Sequence, residues 1–204
     1  MKKKTFLLGA AIVTAAFTTS CTGTMEENQQ EQVASTEVEV ATEVEPQVAQ
    51  QDTIKGSIPS EATGQVGAAS LRINYHAPGV KGRVIWGGLV PYDQVWVTGA
   101  HMATTLETDK DLVIGGKEVP AGKYALFTIP GREEWTFIIN KNWKQHLADD
   151  YDAKEDLVRV QVKPEELKQH QERLKYEIVE EADTEGAIQV AWDKVGITVP
   201  VETK

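Results

Sequence analysis

Leu112-Val113-Ile114-Gly115-Gly116-Lys117-Glu118-Val119 is the stretch whose reading decides the fold. Two short apolar-alternating runs flank a Gly-Gly pair, and glycine supplies the positive φ that a two-residue primed turn needs, so the stretch predicts a β-hairpin. Pro120-Ala121-Gly122 then resets the chain. Immediately downstream, Lys123 to Ile129 and Trp135 to Asn140 predict a second hairpin around Pro130-Gly131-Arg132-Glu133-Glu134, a turn broken by Pro and Gly and solvated by charge. Upstream, Leu71, Ile73 and Tyr75 alternate with Arg72, Asn74 and His76. Further on, Val158, Val160 and Val162 alternate with Arg159, Gln161 and Lys163 until Pro164. Tyr176 and Ile178, then Ile188, Val190 and Trp192, then Ile197, Val199 and Val201 supply three closing strands. Pro164 suits a first helical position, which predicts one short helix through Glu165, Glu166 and Leu167. The whole reads as all-β: a two-sheet antiparallel β-sandwich, jelly-roll-like, of about eight to nine strands with at most one short helix. Trp192 and Trp135 are expected in its core, on faces shared with Ile188 and Val190 and with Phe137 and Ile139.

The chain has 204 residues, 41% of them hydrophobic and 25% charged, which excludes wholesale disorder and a polytopic membrane protein. Its formal charge of -10 argues against a nucleic-acid partner, whose phosphates are bound by clustered Lys and Arg. Three lysines and eight acids belong to the first 54 residues, which leaves 18 basic and 23 acidic residues for residues 55–204.

The ends of the chain differ in kind. Lys2, Lys3 and Lys4 precede an apolar run from Phe6 to Phe17, a charged n-region and an h-region too short to span a bilayer. The run leads through Thr18-Thr19-Ser20 into Cys21, the only cysteine, and resembles the lipobox of bacterial lipoproteins, with Thr18 where an aliphatic residue is usual. Residues 1–20 are therefore expected to be a signal peptide and Cys21 the lipidated mature N-terminus, ordinary secretion being the alternative. Residues 22–54 hold eight acids, no Lys or Arg and no aromatic residue, and read as a disordered acidic tether. As flexible coil it spans about 30 Å. The sandwich domain is expected over residues 55–204.

Familiar catalytic signatures do not occur. Gly115-Gly116-Lys117 lacks the upstream glycine and following helix of a phosphate loop, and there is no HExxH, CxxC, EF-hand or G-x-S-x-G pattern. The domain's three serines, Ser57, Ser60 and Ser70, cluster at its start, which argues against a serine nucleophile. His76, His101 and His146, with Asp149 or Asp150, have the chemistry of a zinc site, but no short fixed spacing supports one, so surface or structural roles are expected first. His170, between two glutamines, is expected to be solvated. The segment Lys141 to Asp152, rich in polar and aromatic groups, reads first as a packed connector over Trp143 and Tyr151 and second as a binding loop. The five tryptophans offer sugar-stacking surfaces, although such residues are more often core. Asp156 and Arg159, three apart on a strand, are expected on opposite faces and unpaired.

Val80-Lys81-Gly82-Arg83, Gly87 to Tyr92, Trp96 to Thr105 (WVTGAHMATT), Ala121 to Pro130 and Trp135 to Asn140 together resemble the domain of unknown function 2911 family over about residues 56–201. These are exported proteins found chiefly in Bacteroidetes, so the resemblance implies an envelope location and a β-rich fold but no reaction. Val97 and His101 stand where many members carry Arg and Asn. Glu26 and Glu27, close behind Cys21, also resemble the acidic surface-export signal of some Bacteroidetes lipoproteins.

The function read from the sequence is that of a lipid-anchored envelope β-sandwich, outer-membrane and periplasmic or surface-facing, which binds a ligand, glycan or protein partner without catalysis. No cofactor is implied. His101, Met102, Trp143, His146 and Tyr151 are the candidate binding residues. The alternative is a metal-dependent hydrolase using His101 with His76 or His146 and a carboxylate.

Overall fold

The computed structural model describes residues 52–204. Cys21, the signal peptide and nearly all of the tether lie outside the described residues. Among the described residues ten strands build two antiparallel sheets that do not close on each other. Strands β1 (Ile58–Val66), β2 (Ala69–Ala77), β3 (Thr104–Thr108), β6 (Gly122–Ile129), β7 (Trp135–Asn140) and β8 (Asp156–Val162) form the larger sheet in the order β1-β2-β3-β6-β7-β8. Strands β4 (Leu112–Ile114), β5 (Lys117–Val119), β9 (Glu165–Ala182) and β10 (Glu185–Thr203) form the smaller in the order β5-β4-β10-β9. The all-β sandwich expected from the alternation is the fold observed.

Both predicted hairpins form. Ile114 pairs with Lys117 across Gly115 (φ 59°) and Gly116 (φ 73°), the positive pair that a two-residue primed turn demands. Strands β6 and β7 pair in the register Leu126 to Ile139 and Ile129 to Thr136. The inner faces supply one core: Leu71, Ile73, Leu106, Leu126, Trp135, Phe137, Ile139 and Val158 from the larger sheet meet Leu112, Ile114, Ile188, Val190, Trp192, Ile197, Val199 and Val201 from the smaller. Trp192 is 1% exposed and Trp135 3%, as expected.

Three expectations are corrected. Ile188 to Trp192 and Ile197 to Val201, expected as two strands, are stretches of the single strand β10. Pro164 starts no helix: Glu165, Glu166 and Leu167 open β9, an 18-residue strand that pairs along β10 with register shifts near Glu185, Asp193 and Val195. Among the described residues the helical element is a single 3-10 turn, Ala153–Glu155, capped by the Asp152 side chain accepting from the Lys154 N–H. Asp156 and Arg159 are not on opposite faces. Asn140 pairs with Asp156 while Ile139 pairs with Val158, so a bulge at Leu157 turns both charged residues to the outer face, where they meet at 2.8 Å.

The larger sheet is covered on half of its outer face. Ala125 and Phe127 of β6 and Ile138 of β7 are buried there with Val97 and Ala103, under Trp96, Trp143 and Tyr151. Thus the 141–152 segment is the packed connector expected first, and β6 and β7 are buried on both sides. Strand β1 shows little apolar alternation and packs edge-on against β9; a Cβ on Gly64 would sit 2.7 Å from the Ile178 side chain, so only glycine permits that approach.

Candidate functional site: a loop-built cleft

The β2–β3 connection, residues 78–103, is far longer than a usual sheet connection, and loops of that length on a rigid sheet commonly carry function. It is held in place at defined points. Trp96 exchanges both backbone hydrogen bonds with Thr128, extending the larger sheet by one bridge. The Thr98 hydroxyl meets that of Thr128 at 2.8 Å, and the Thr98 carbonyl accepts from the buried Tyr176 hydroxyl at 2.9 Å. Full burial raises the Tyr176 pKa well above that of a free phenol, so it serves as a fixed donor. Thr98 (φ 49°), His101 (φ 63°) and Leu147 (φ 48°) adopt left-handed backbone conformations, which cluster where a fold holds a shape against local preference. The Leu147 N–H donates to the His101 carbonyl at 2.6 Å and the Ala103 N–H to the Gln145 carbonyl at 3.0 Å, zipping the two loops together.

These loops enclose a cleft of about 990 Å³ at one end of the sandwich. Its apolar lining includes Ile54, Leu89, Trp96, Leu147 and Trp192. The two indoles stack at 5.7 Å with an interplanar angle of 19°, and Trp86 meets both edge-on at 5.9 Å. Leu89 is 47% exposed, so part of this apolar surface faces solvent. Lys55, Lys81, Arg83, His101 and His146 add basic groups, while Asp52 is the one carboxylate among the lining residues.

Asp52 is committed elsewhere. The Arg173 guanidinium reaches it at 2.5 Å and also donates to the carbonyls of Ile54, Gly56 and Ala77, which lashes residues 52–57 along the cleft wall. That hydrogen-bonded guanidinium, with Lys81 beside it, lowers the Asp52 pKa to about 2. A carboxylate so stabilised is a poor proton acceptor at neutral pH.

The five candidate binding residues divide between places. His101 and His146 line the cleft, whereas Met102 and Trp143 line a separate recess beside it. Tyr151 is packed under its loop against Phe127 at 5.3 Å. Its hydroxyl donates to Asp156 at 2.7 Å and accepts from Arg159 at 3.0 Å; burial, reinforced by Asp156, pushes its pKa up to about 12. The His76 and His101 rings meet edge to face at 5.1 Å. Burial, aided by the neighbouring His101, lowers the His76 pKa, so it is neutral at neutral pH. His146 turns to Asp149 at 2.9 Å. Among the described residues no group of three His, Cys, Asp or Glu side chains is placed to hold a metal ion, which leaves the zinc reading without a ligand set. His170 is exposed, as expected, and lies 3.2 Å from both Glu172 and Asp193.

Sequence reasoning missed the 52–57 strap, its Arg173 clamp and the Leu89/Trp96/Trp192 lining. The signal for the last was the tryptophan density of residues 86–96; nothing local connects Arg173 to Asp52.

Fold and cleft define an open antiparallel β-sandwich with a loop-built cleft. A family model described as protein of unknown function (DUF2911) matches residues 57–201, and the chain belongs to that family. No curated protein and no solved structure matches the chain.

Proposed function

We propose that this protein is a lipid-anchored binding protein of the cell envelope and that the cleft holds its ligand, an amphipathic molecule with an apolar body and an acidic group, without chemical conversion. The observation that carries the reading is the cleft itself. Its volume lies in the range of small-molecule sites, and its apolar lining with a few polar groups at the margin is the usual composition of such a site. Lys55 and Arg83 favour an anionic end, Lys81 being held by Asp52 at 3.4 Å, and Leu89 with Trp96 favours an apolar one. The non-catalytic part rests on Asp52, the one carboxylate lining the cleft, which Arg173 and Lys81 already engage.

The lipid anchor rests on the signal-like N-terminus and the position of Cys21. A mature lipoprotein with two or three acyl chains is held stably, at about 0.8 kcal/mol per buried CH₂. Around 30 residues of acidic tether would then set the cleft clear of the headgroups.

The test is capture of small molecules from envelope extracts on immobilised protein, with Leu89→Glu as control. The proposal expects an amphipathic acid retained by wild type and released by the variant. Retention of nothing, or equal retention by both folded proteins, would overturn it.

A further inference from the structure

Beside the cleft, on the uncovered half of the larger sheet's outer face, lies a second recess of about 430 Å³. The sheet register explains its floor. Asn74 of β2 pairs with Thr105 of β3, which pairs with Ala125 of β6, so Asn74 and Thr105 share one row on the outer face. His76, two residues along β2 from Asn74, lies on the same face. Where the packed connector ends, Met102, Trp143 and Lys144 rise as a wall beside that floor.

Thr105 at the recess floor carries a hydroxyl with no partner among the described residues. The residue is 6% exposed and its Oγ1 is buried. A buried hydroxyl left unpaired costs about 1–3 kcal/mol, and valine would fill the same space without that cost. The neighbouring floor groups are a neutral amide and an imidazole, each able to donate and to accept. The wall is of another character: Met102 is half exposed, and the Trp143 indole packs against the outer-face cluster with the Lys123 and Lys144 ammoniums 4.6 and 5.0 Å from its ring centre.

Hydroxyl, amide and imidazole on one side with apolar surface on the other complement a ring that presents hydroxyls at its edge and C–H groups on its face. We propose that this recess is a second binding site and that it takes a saccharide unit, with the Asn74 amide, the His76 imidazole and, once rotation about χ1 turns its enclosed oxygen into the recess, the Thr105 hydroxyl engaging sugar hydroxyls while Met102 and Trp143 cover the C–H face. The inference stands apart from the cleft reading, since it uses other residues and another ligand chemistry.

The experiment is saturation-transfer NMR with glucose, galactose, N-acetylglucosamine and glucuronic acid as probes, at millimolar concentration, on the folded chain carrying Cys21→Ser. At least one sugar binds wild type. Thr105→Val keeps or raises the unfolding temperature and weakens that sugar about tenfold, the factor that one hydrogen bond near the top of its usual net strength supplies. Asn74→Ala, at a half-exposed position, also weakens it, and Leu89→Glu in the cleft leaves it unchanged. The proposal is overturned if none of the four sugars binds, if Thr105→Val binds as wild type does, or if Leu89→Glu abolishes sugar binding.

Discussion

Replacing Trp192 by alanine tests the sandwich core and the cleft floor together. The side chain is 1% exposed, stacks on Trp96 at 5.7 Å and meets Trp86 edge-on at 5.9 Å, and its Nε1 donates to the Glu172 carbonyl at 3.3 Å. Truncation of a buried tryptophan costs about 3–5 kcal/mol, against a total stability of about 5–15 kcal/mol for a domain. Aromatic pairs contribute roughly 0.5–1.5 kcal/mol each beyond buried area, and Trp192 has two, which places the cost near the upper end. At about 2–4 °C per kcal/mol for a domain of this size, the thermal midpoint should fall by roughly 10–20 °C. Urea unfolding should show a lower midpoint at nearly unchanged slope. His101→Ala is the control, because its ring sits in a loop at the cleft and meets His76 alone among the aromatic groups; it should cost about 1 kcal/mol or less. A Trp192→Ala loss below about 1.5 kcal/mol, or a His101→Ala loss as large as that of Trp192→Ala, would refute the assignment of Trp192 to core and His101 to binding surface.

Other outcomes follow from single contacts. Asp52 has a folded pKa lowered from 3.8 to about 2, so its pairing with Arg173 stabilises the domain fully above the unfolded value and fades as pH falls from 3.8 towards 2. Asp52→Asn should therefore be less stable than wild type near neutrality, with the gap closing over that interval in pH-dependent thermal unfolding. Gly64→Val should destabilise by several kcal/mol, because its Cβ would meet Ile178 at 2.7 Å, and denaturant unfolding reads this directly. Under the lipoprotein proposal, Cys21→Ser should move the protein from the membrane fraction to a soluble exported form; equal partition of the two would leave simple secretion.

What the sequence disclosed follows from locality. Gly115-Gly116 carries its turn type in two residues, and the alternation at Leu71, Ile73 and Tyr75 carries the inner face of β2. The first half of β9 is hidden because Glu165 to Glu172 alternates no apolar groups and is rich in good helix formers, whereas Tyr176 and Ile178 in its second half read as strand; pairing with β10 overrides the helical preference. The Asp156–Arg159 pair depended on a bulge, and a one-residue slip reverses which face a side chain takes. The cleft was legible only in fragments. His101 and His146 are legible as candidates, yet the cleft's walls draw on residues 52–57, 78–101, 146–147 and 192, which chain folding alone brings together.

The central claim, a cleft that binds an apolar acid, is tested most directly by titrating the folded Cys21→Ser chain with 8-anilinonaphthalene-1-sulfonate, an apolar anion excited by energy transfer from the indoles of the cleft. Saturable binding of one dye per chain, with Trp96 and Trp192 quenched, is expected, lost in Leu89→Glu and kept in Thr105→Val. Absence of saturable binding, or binding that Leu89→Glu leaves unchanged, would contradict it.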